Sequence, residues 1–363
     1  MRALFDLGHP AHFHLFRHVM GDMAERGDTV EILAREKDCL LDLLAANNAG
    51  WTVHLVRSRR RNRLSLLKET LSALGKAGRR RLGGRFDILA GTSIVVGPAS
   101  RAMGGKSFVF GEDDAKVVPL FTKIAYPPAH YVVTPACLGF EDYGCKHLTY
   151  PGYQELAYLH PSRFQADPAI RRELGVADDE RLFLVRLVAL RAHHDVGQAG
   201  LSPAQAREVV GRLQQHGRVL ISAEAEVEAD LREFLLPTPP ERIHHVLAAA
   251  DLVIGDSQTM AAEAAVLGTP ALRCNTFVGR LSYLEELEHS YGLTVGVRPE
   301  NFERLRALLE DWLARAELKA EWQRRREAML ADCVDLSAWM LETFDRVAAG
   351  GSPVVASQAG SAS

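Results

Sequence analysis

Asp251-Leu252-Val253-Ile254-Gly255-Asp256-Ser257-Gln258-Thr259-Met260-Ala261-Ala262-Glu263-Ala264-Ala265-Val266-Leu267-Gly268-Thr269-Pro270 is the stretch whose reading decides the fold. Four apolar residues, Leu252–Gly255, have the length of a buried strand. Through Asp256-Ser257-Gln258 they run almost directly into a helical segment, Thr259–Leu267, closed by Gly268 and Pro270. A strand that feeds a helix this tightly is half of a βαβ unit, and a parallel sheet follows. Gly255, Ser257, Gln258 and Thr259 then sit at a helix start, where free N–H groups and hydroxyls can grip an anion such as a phosphate. Glu263 is one turn beyond Thr259 on the same face, placed to accept two hydroxyls of a ribose or sugar. A plainer reading stands beside this one: one of Asp256, Ser257 and Thr259 caps the helix, and Glu263 is surface charge.

Working outward, the same alternation fills most of the chain. Arg2–Leu7, Thr29–Ala34, Trp51–Val56, Phe86–Ala90, Lys106–Gly111 and His130–Thr134 read as strands, most of them separated by helical-period residues. Gly27 and Gly50 mark helix ends before strands. After Pro151-Gly152 the pattern stops, and Tyr153–Glu180 reads as a connector with a short helix near Ala169–Leu174. It resumes with strands Leu182–Leu190, Arg218–Ala223, Leu252–Gly255, Pro270–Cys274 and Leu293–Val297. Helices are expected at Ala204–Gln215, Glu226–Phe234, Ile243–Ala250, Thr259–Leu267 and Leu281–Tyr291. The expected organisation is an N-terminal α/β domain over 1–152, the connector 153–180, and a second α/β domain over 181–300. Charged helices over 301–347 brace the first domain, and the small polar tail 348–363 is disordered. With two parallel sheets facing each other, ligand chemistry is expected at strand ends along an interdomain cleft.

Length and composition agree. At 363 residues the chain exceeds what one core usually supports, and 47% apolar with 25% charged residues is ordinary for a globular protein. No apolar run approaches the ~20 residues a spanning helix needs. The N-terminus, Met1-Arg2-Ala3-Leu4-Phe5-Asp6, meets charge too early for a signal peptide, so a cytoplasmic location is expected. Five scattered cysteines with no C-x-x-C pair suggest neither a disulfide framework nor a zinc site. The net charge of −3 argues against a nucleic-acid partner, yet Arg57–Arg85 holds eleven basic residues and one acid, a local +10 that leaves −13 elsewhere. That tract is either a solvated face or a surface for something negative, such as an anionic or lipid-linked acceptor at the inner membrane face.

Two further strand ends carry candidate chemistry. Asp6-Leu7-Gly8-His9-Pro10-Ala11-His12-Phe13-His14 places His9 and His12 in the first strand-to-helix loop. His12 and His14, two apart, point to different faces of a helix, so no metal site is expected. Arg186 interrupts an apolar strand, where an unpaired charge is costly, and so requires a partner or an anionic ligand. Arg191, His193, His194 and Asp195 follow in the loop, His194-Asp195 forming a candidate acid/base pair unless both bond to the loop backbone. Glu224 directly follows strand Arg218–Ala223.

Asp256-Ser257, Glu263-Ala264, Leu267-Gly268 and Pro270 resemble the donor motif of GT-B glycosyltransferases and of the non-hydrolysing UDP-N-acetylglucosamine 2-epimerases. Gly8-His9-Pro10, Arg186, His194-Asp195-Val196-Gly197, Ile221-Ser222-Ala223-Glu224 and Asp256–Glu263 together resemble the family called domain of unknown function 354, over nearly the whole chain. The resemblance implies an α/β, GT-B-like fold of two Rossmann-like domains whose parallel sheets face an interdomain cleft. It also implies a sugar-nucleotide site in which the Glu at 263 holds the ribose and the helix start holds the diphosphate. In GT-B transferases a histidine at the position of His9 or His12 faces the acceptor or the donor phosphates, and a neutral imidazole there can take a proton from an acceptor hydroxyl.

The function expected is a metal-independent glycosyltransferase with a nucleotide diphosphate sugar, a UDP-sugar first, as substrate and no other cofactor. His12 or His9, with His194 and Asp195, are the catalytic candidates, and Arg186, Glu224, Gly255, Ser257, Gln258, Thr259 and Glu263 the donor-binding ones. A sugar-nucleotide 2-epimerase is the alternative, against which the absence of an opening Gly-Thr-Arg-Pro-Glu turn counts. A non-catalytic nucleotide-sugar-binding protein is the third reading.

Overall fold

The computed structural model describes residues 1–37, 39–47, 49–56, 85–138, 146–188, 199–224 and 226–354. The chain forms two compact units, Met1–Arg163 with Cys333–Ser363, and Phe164–Asp332.

The first unit is built on seven parallel strands: β1 (Arg2–Leu7), β2 (Thr29–Arg35), β3 (Thr52–Val56), β4 (Ile88–Gly91), β5 (Lys106–Phe110), β6 (Tyr131–Pro135) and β7 (Lys146–Tyr150). Their order in the sheet is β3-β2-β1-β4-β5-β6-β7. Parallel strands need crossovers that cover the sheet faces, so the central strands are buried on both sides and read as unbroken apolar runs. Helix Pro10–Glu25 lays Phe13, Phe16, Val19, Met20 and Met23 inward. It ends before Gly27, whose φ of +91° only glycine adopts without strain. β7 is absent from the sequence reading for a physical reason: Lys-His-Leu-Thr-Tyr is an edge strand whose Lys146 and Thr149 are exposed, so it has no apolar run.

The expected connector also divides differently. Tyr153 and Leu156–Leu159 are buried, the latter as a helical turn against helix Pro10–Glu25, so residues 153–163 belong to the first unit. The last helix, Leu336–Ala348, belongs there too. Its Phe344 ring lies 4.9 Å from Phe108 and 6.3 Å from Phe5, and Ser337 donates to the Ala157 carbonyl at 2.7 Å. The tail expected to be disordered lies outside the described residues from 355 onward, as do positions 57–84 of the basic tract.

The second unit carries five parallel strands: β8 (Leu182–Leu187), β9 (Arg218–Ala223), β10 (Leu252–Gly255), β11 (Ala271–Cys274) and β12 (Thr294–Val297), in the order β12-β11-β10-β8-β9. Helices Pro203–Leu213, Ile243–Ala249, Gln258–Val266 and Ser282–His289 lie near their expected positions. The expected helix Glu226–Phe234 is instead a 3₁₀ helix, Ala229–Phe234, that buries only Leu231. Helices Phe302–Ala314 and Leu318–Asp332 close this unit, so the bracing role expected of all of 301–347 falls to the last helix alone. Lys319 is half-buried and donates to the Ala248 carbonyl and Thr269 hydroxyl, both at 2.9 Å, so that it caps the end of helix Ile243–Ala249. Burial pulls its ammonium down to about 8.

Candidate functional site

In open parallel sheets ligands gather where the strand order reverses, beyond the carboxyl ends. The reversal falls between β1 and β4 in the first sheet and between β8 and β10 in the second.

At the first reversal, Asp6 of β1 pairs in register with Gly91 of β4. Asp6 is 3% exposed; its Oδ2 accepts a short hydrogen bond from the Ser93 hydroxyl and lies 3.2 Å from Arg35 Nη2. Among the described residues its Oδ1 has no protein partner. A side chain at Gly91 would meet the Asp6 carbonyl at 2.9 Å, so this glycine is required by close approach, whereas at Gly8 a Cβ would meet only the movable end of Arg35 at 2.5 Å.

His9 caps helix Pro10–Glu25: its Nδ1 accepts the Ala11 N–H at 3.2 Å. His12 accepts the Gly8 N–H on Nδ1 at 3.1 Å, which puts the ring proton on Nε2, 2.7 Å from the Thr92 hydroxyl. Burial, then His9, Arg35 and Lys37, push His12 down to about 3, so it is neutral as expected. With both nitrogens engaged, His12 holds the Gly8 and Thr92 loops together.

The titratable carboxyls of this sheet edge were not singled out from sequence. Glu112, two residues past β5, is half-buried and hydrogen-bonded to the buried Glu155. Burial, then Glu155 and Asp113, raise it well above the ordinary carboxyl range, and the Gln154 N–H donates to its Oε1 at 3.3 Å. Two adjacent carboxyls cannot both ionise readily, so the pair retains a proton. The same burial and carboxylates push the buried Tyr150 phenol upward. Their only signal in the sequence was Glu112-Asp113-Asp114 after an apolar run; Glu155 lay inside the supposed connector.

At the second reversal, Arg186 of β8 is in register with Gly255 of β10. A Cβ at Gly255 would sit 2.2 Å from the Arg186 carbonyl, so this glycine is there for strand packing and not for a ligand. Arg186 donates to the Ser222 hydroxyl at 2.8 Å and makes a short ion pair with Glu224, while its Nε is buried without a partner among the described residues. Arg186 and Glu224 are thus brought together, and Glu224 is the partner that this half-buried cation required. Ser257 is the N-cap of helix Gln258–Val266, its hydroxyl accepting the Met260 N–H at 3.2 Å. The first N–H groups, on Gln258 and Thr259, have no acceptor within the helix, and Thr259 is exposed. Glu263 is neither surface charge nor open: it is buried, with Oε1 3.0 Å from Nε2 of the buried His244. His194 and Asp195 lie outside the described residues.

Asp256 organises this edge. Its Oδ1 accepts the Val188 N–H at 2.8 Å, the Leu201 N–H also reaches it, and a Cβ at Gly200 would strike its Oδ2 at 2.3 Å. Burial raises its carboxyl to about 6 despite those bonds and the nearby Arg186. Buried Asn275 donates to the Asp256 carbonyl at 2.9 Å. A cavity of about 160 Å³ opens beside it, lined by Leu187, Val188, Leu201, Pro203 and Val227. Among the described residues no group of three or more His, Cys, Asp or Glu could hold a metal ion.

No protein-family model matches the chain, so its likeness to domain of unknown function 354 remains one of motifs. No curated protein sequence matches it either. Solved structures do. A Listeria monocytogenes protein assigned provisionally as a UDP-N-acetylglucosamine 2-epimerase is similar at a TM-score of 0.65 and 13% identity, covering 99% of both chains. The glycosyltransferase VinC, solved with dTDP, is similar at 0.59 and 14%, covering 97% of this chain and 100% of its own. The Neisseria meningitidis UDP-GlcNAc 2-epimerase, solved with UDP-GlcNAc, gives 0.56 and 10% over 91% of this chain and 100% of its own. The fold is therefore the two-Rossmann GT-B architecture that these transferases and epimerases share, as the sequence motifs implied.

Proposed function

We propose that this chain is a glycosyltransferase of the GT-B kind that takes a nucleotide diphosphate sugar, a UDP-sugar first, on its second unit. One observation carries the reading: at the β8–β10 reversal the Arg186 guanidinium and the N–H groups that open helix Gln258–Val266, which have no acceptor within the helix, stand at the same sheet edge. That is the chemistry a departing diphosphate needs, supplied by a fixed cation and helix-end donors rather than by a metal ion. The phosphates would displace Glu224 from Arg186. Support also comes from the nucleotide-bound neighbours of the same fold.

The first unit supplies the acceptor side in this reading. The acceptor hydroxyl loses its proton to the Glu112–Glu155 pair, its oxygen bonds to the anomeric carbon, and the bond to the diphosphate breaks with its electrons leaving on phosphate. Asp6, Ser93 and Thr92 orient the acceptor.

The same carboxyl pair favours a second reading, 2-epimerisation, because a pair that keeps one proton and can take another can accept the C2 proton as the C2–H electrons form a C1–C2 double bond and expel the diphosphate, then return a proton to the opposite face of C2 as the diphosphate re-adds at C1. Incubation with UDP- and GDP-sugars without acceptor separates the two. A C2 epimer in the product favours the second reading and overturns the first. Unchanged sugar, with melting protection that Arg186→Ala abolishes, supports the first. Protection untouched by Arg186→Ala would mean that the donor site is misplaced.

A further inference from the structure

Helix Pro119–Ala125, between β5 and β6, has an inner and an outer face of unlike purpose. Inside, Thr122 and Ala125 are buried, and Phe121 packs with Tyr126 against the core that includes Leu89, Val96 and Val109, its ring 5.7 Å from that of Tyr126. The helix therefore cannot roll. Its outer face holds Leu120, 51% exposed, and Ile124, 46% exposed, one turn apart, among the most exposed large apolar side chains of the described residues. Lys116 and Lys123 are exposed beside them, and among the described residues neither lysine has an acidic partner. Asp113 and Asp114 lie just upstream but are partly buried.

We propose that this helix docks the first unit on an anionic phospholipid bilayer, Leu120 and Ile124 entering the headgroup boundary while Lys116 and Lys123 meet lipid phosphates. Two aliphatic side chains are too few for a stable protein interface, which buries ~800 Å² per partner, whereas a short amphipathic element with flanking lysines is enough for reversible lipid contact. The inference does not depend on the donor reading, since none of these residues is in the candidate site.

The test is co-sedimentation of the full chain with vesicles of phosphatidylcholine alone or with phosphatidylglycerol added. The wild type is expected to sediment with the anionic vesicles only, and less as salt rises. Leu120→Ser with Ile124→Ser is expected to lower partitioning roughly tenfold, and Lys116→Ser with Lys123→Ser to lower it and flatten the salt dependence. As a second measurement, the fluorescence of Leu120→Trp, taken as the difference from wild type, is expected to shift blue with anionic vesicles. No sedimentation of the wild type, a double serine variant that sediments as well as wild type, or no blue shift each overturns the proposal. So would self-association of the wild type without lipid that the double serine variant loses, which would assign the face to a second copy.

Discussion

The two strand-order reversals share a topology and differ in what they are made of. The carboxyl ends of the first sheet join titratable side chains to their neighbours: Asp6 with Ser93 and Arg35, His12 with Thr92 and, past β5, Glu112 with Glu155. At the β8–β10 edge Arg186 pairs with Ser222 and Glu224, and the other contacts run to main chain: Asp256 accepts from Val188 and Leu201, Ser257 from Met260, and Asn275 donates to the Asp256 carbonyl. The first edge is equipped to move protons, and the second to present fixed charge and dipoles. One architecture hosts both because the strand ends leave backbone groups and short loops open in either case, and the loop residues decide the chemistry.

The largest effect that tests this contrast lies in the second unit. Glu263→Ala takes away a buried side chain and its hydrogen bond to His244, and the cavity and lost bond together are expected to cost about 3–5 kcal/mol in denaturant unfolding; a loss under 1 kcal/mol would mean the pair is not buried as described. Next is His12, whose folded value of about 3 lies below the unfolded 6.5. Between those values the unfolded chain binds the extra proton, so stability falls as pH drops from 6.5 toward 3, by about 4 kcal/mol over the whole span. His12→Gln should remove that component, measured as the difference between the two pH–stability curves. Asp256 has the opposite sign. Its folded value of about 6 exceeds the unfolded 3.8, so the native state binds the extra proton and stability declines, by about 3 kcal/mol, as pH rises from 3.8 through 6. Asp256→Asn should flatten that window; equal slopes in wild type and variant would erase the contrast. The smallest is Ser257→Ala, about 1 kcal/mol for a lost N-cap.

The second edge was the more legible in sequence because its determinants are contiguous. Strand, cap and helix follow one another within Leu252–Val266, and each has a local signature: an apolar run, a serine, a glycine at a strand end. The first edge depends on partners far apart in the chain. Asp6 meets Arg35 and Ser93, and Glu112 meets a glutamate over forty residues later, inside a segment whose apolar residues lacked any period. Histidine clustering near the N-terminus drew attention to His9 and His12 as bases, yet the direction of each imidazole is set by backbone N–H groups that no composition reveals. Glu263 shows the same limit, since the helix period placed it beside Thr259 but could not tell that helix Ile243–Ala249 covers it with His244.

The return of helix Leu336–Ala348 to the first unit has a consequence for synthesis. Residues 1–163 leave the ribosome first, yet the aromatic stack that Phe344 completes with Phe5 and Phe108 must wait until the whole second unit has been translated. The first sheet is thus held open on one face while its neighbour folds, and a nascent chain cut before position 344 exposes two phenylalanine rings that quality-control proteases can recognise.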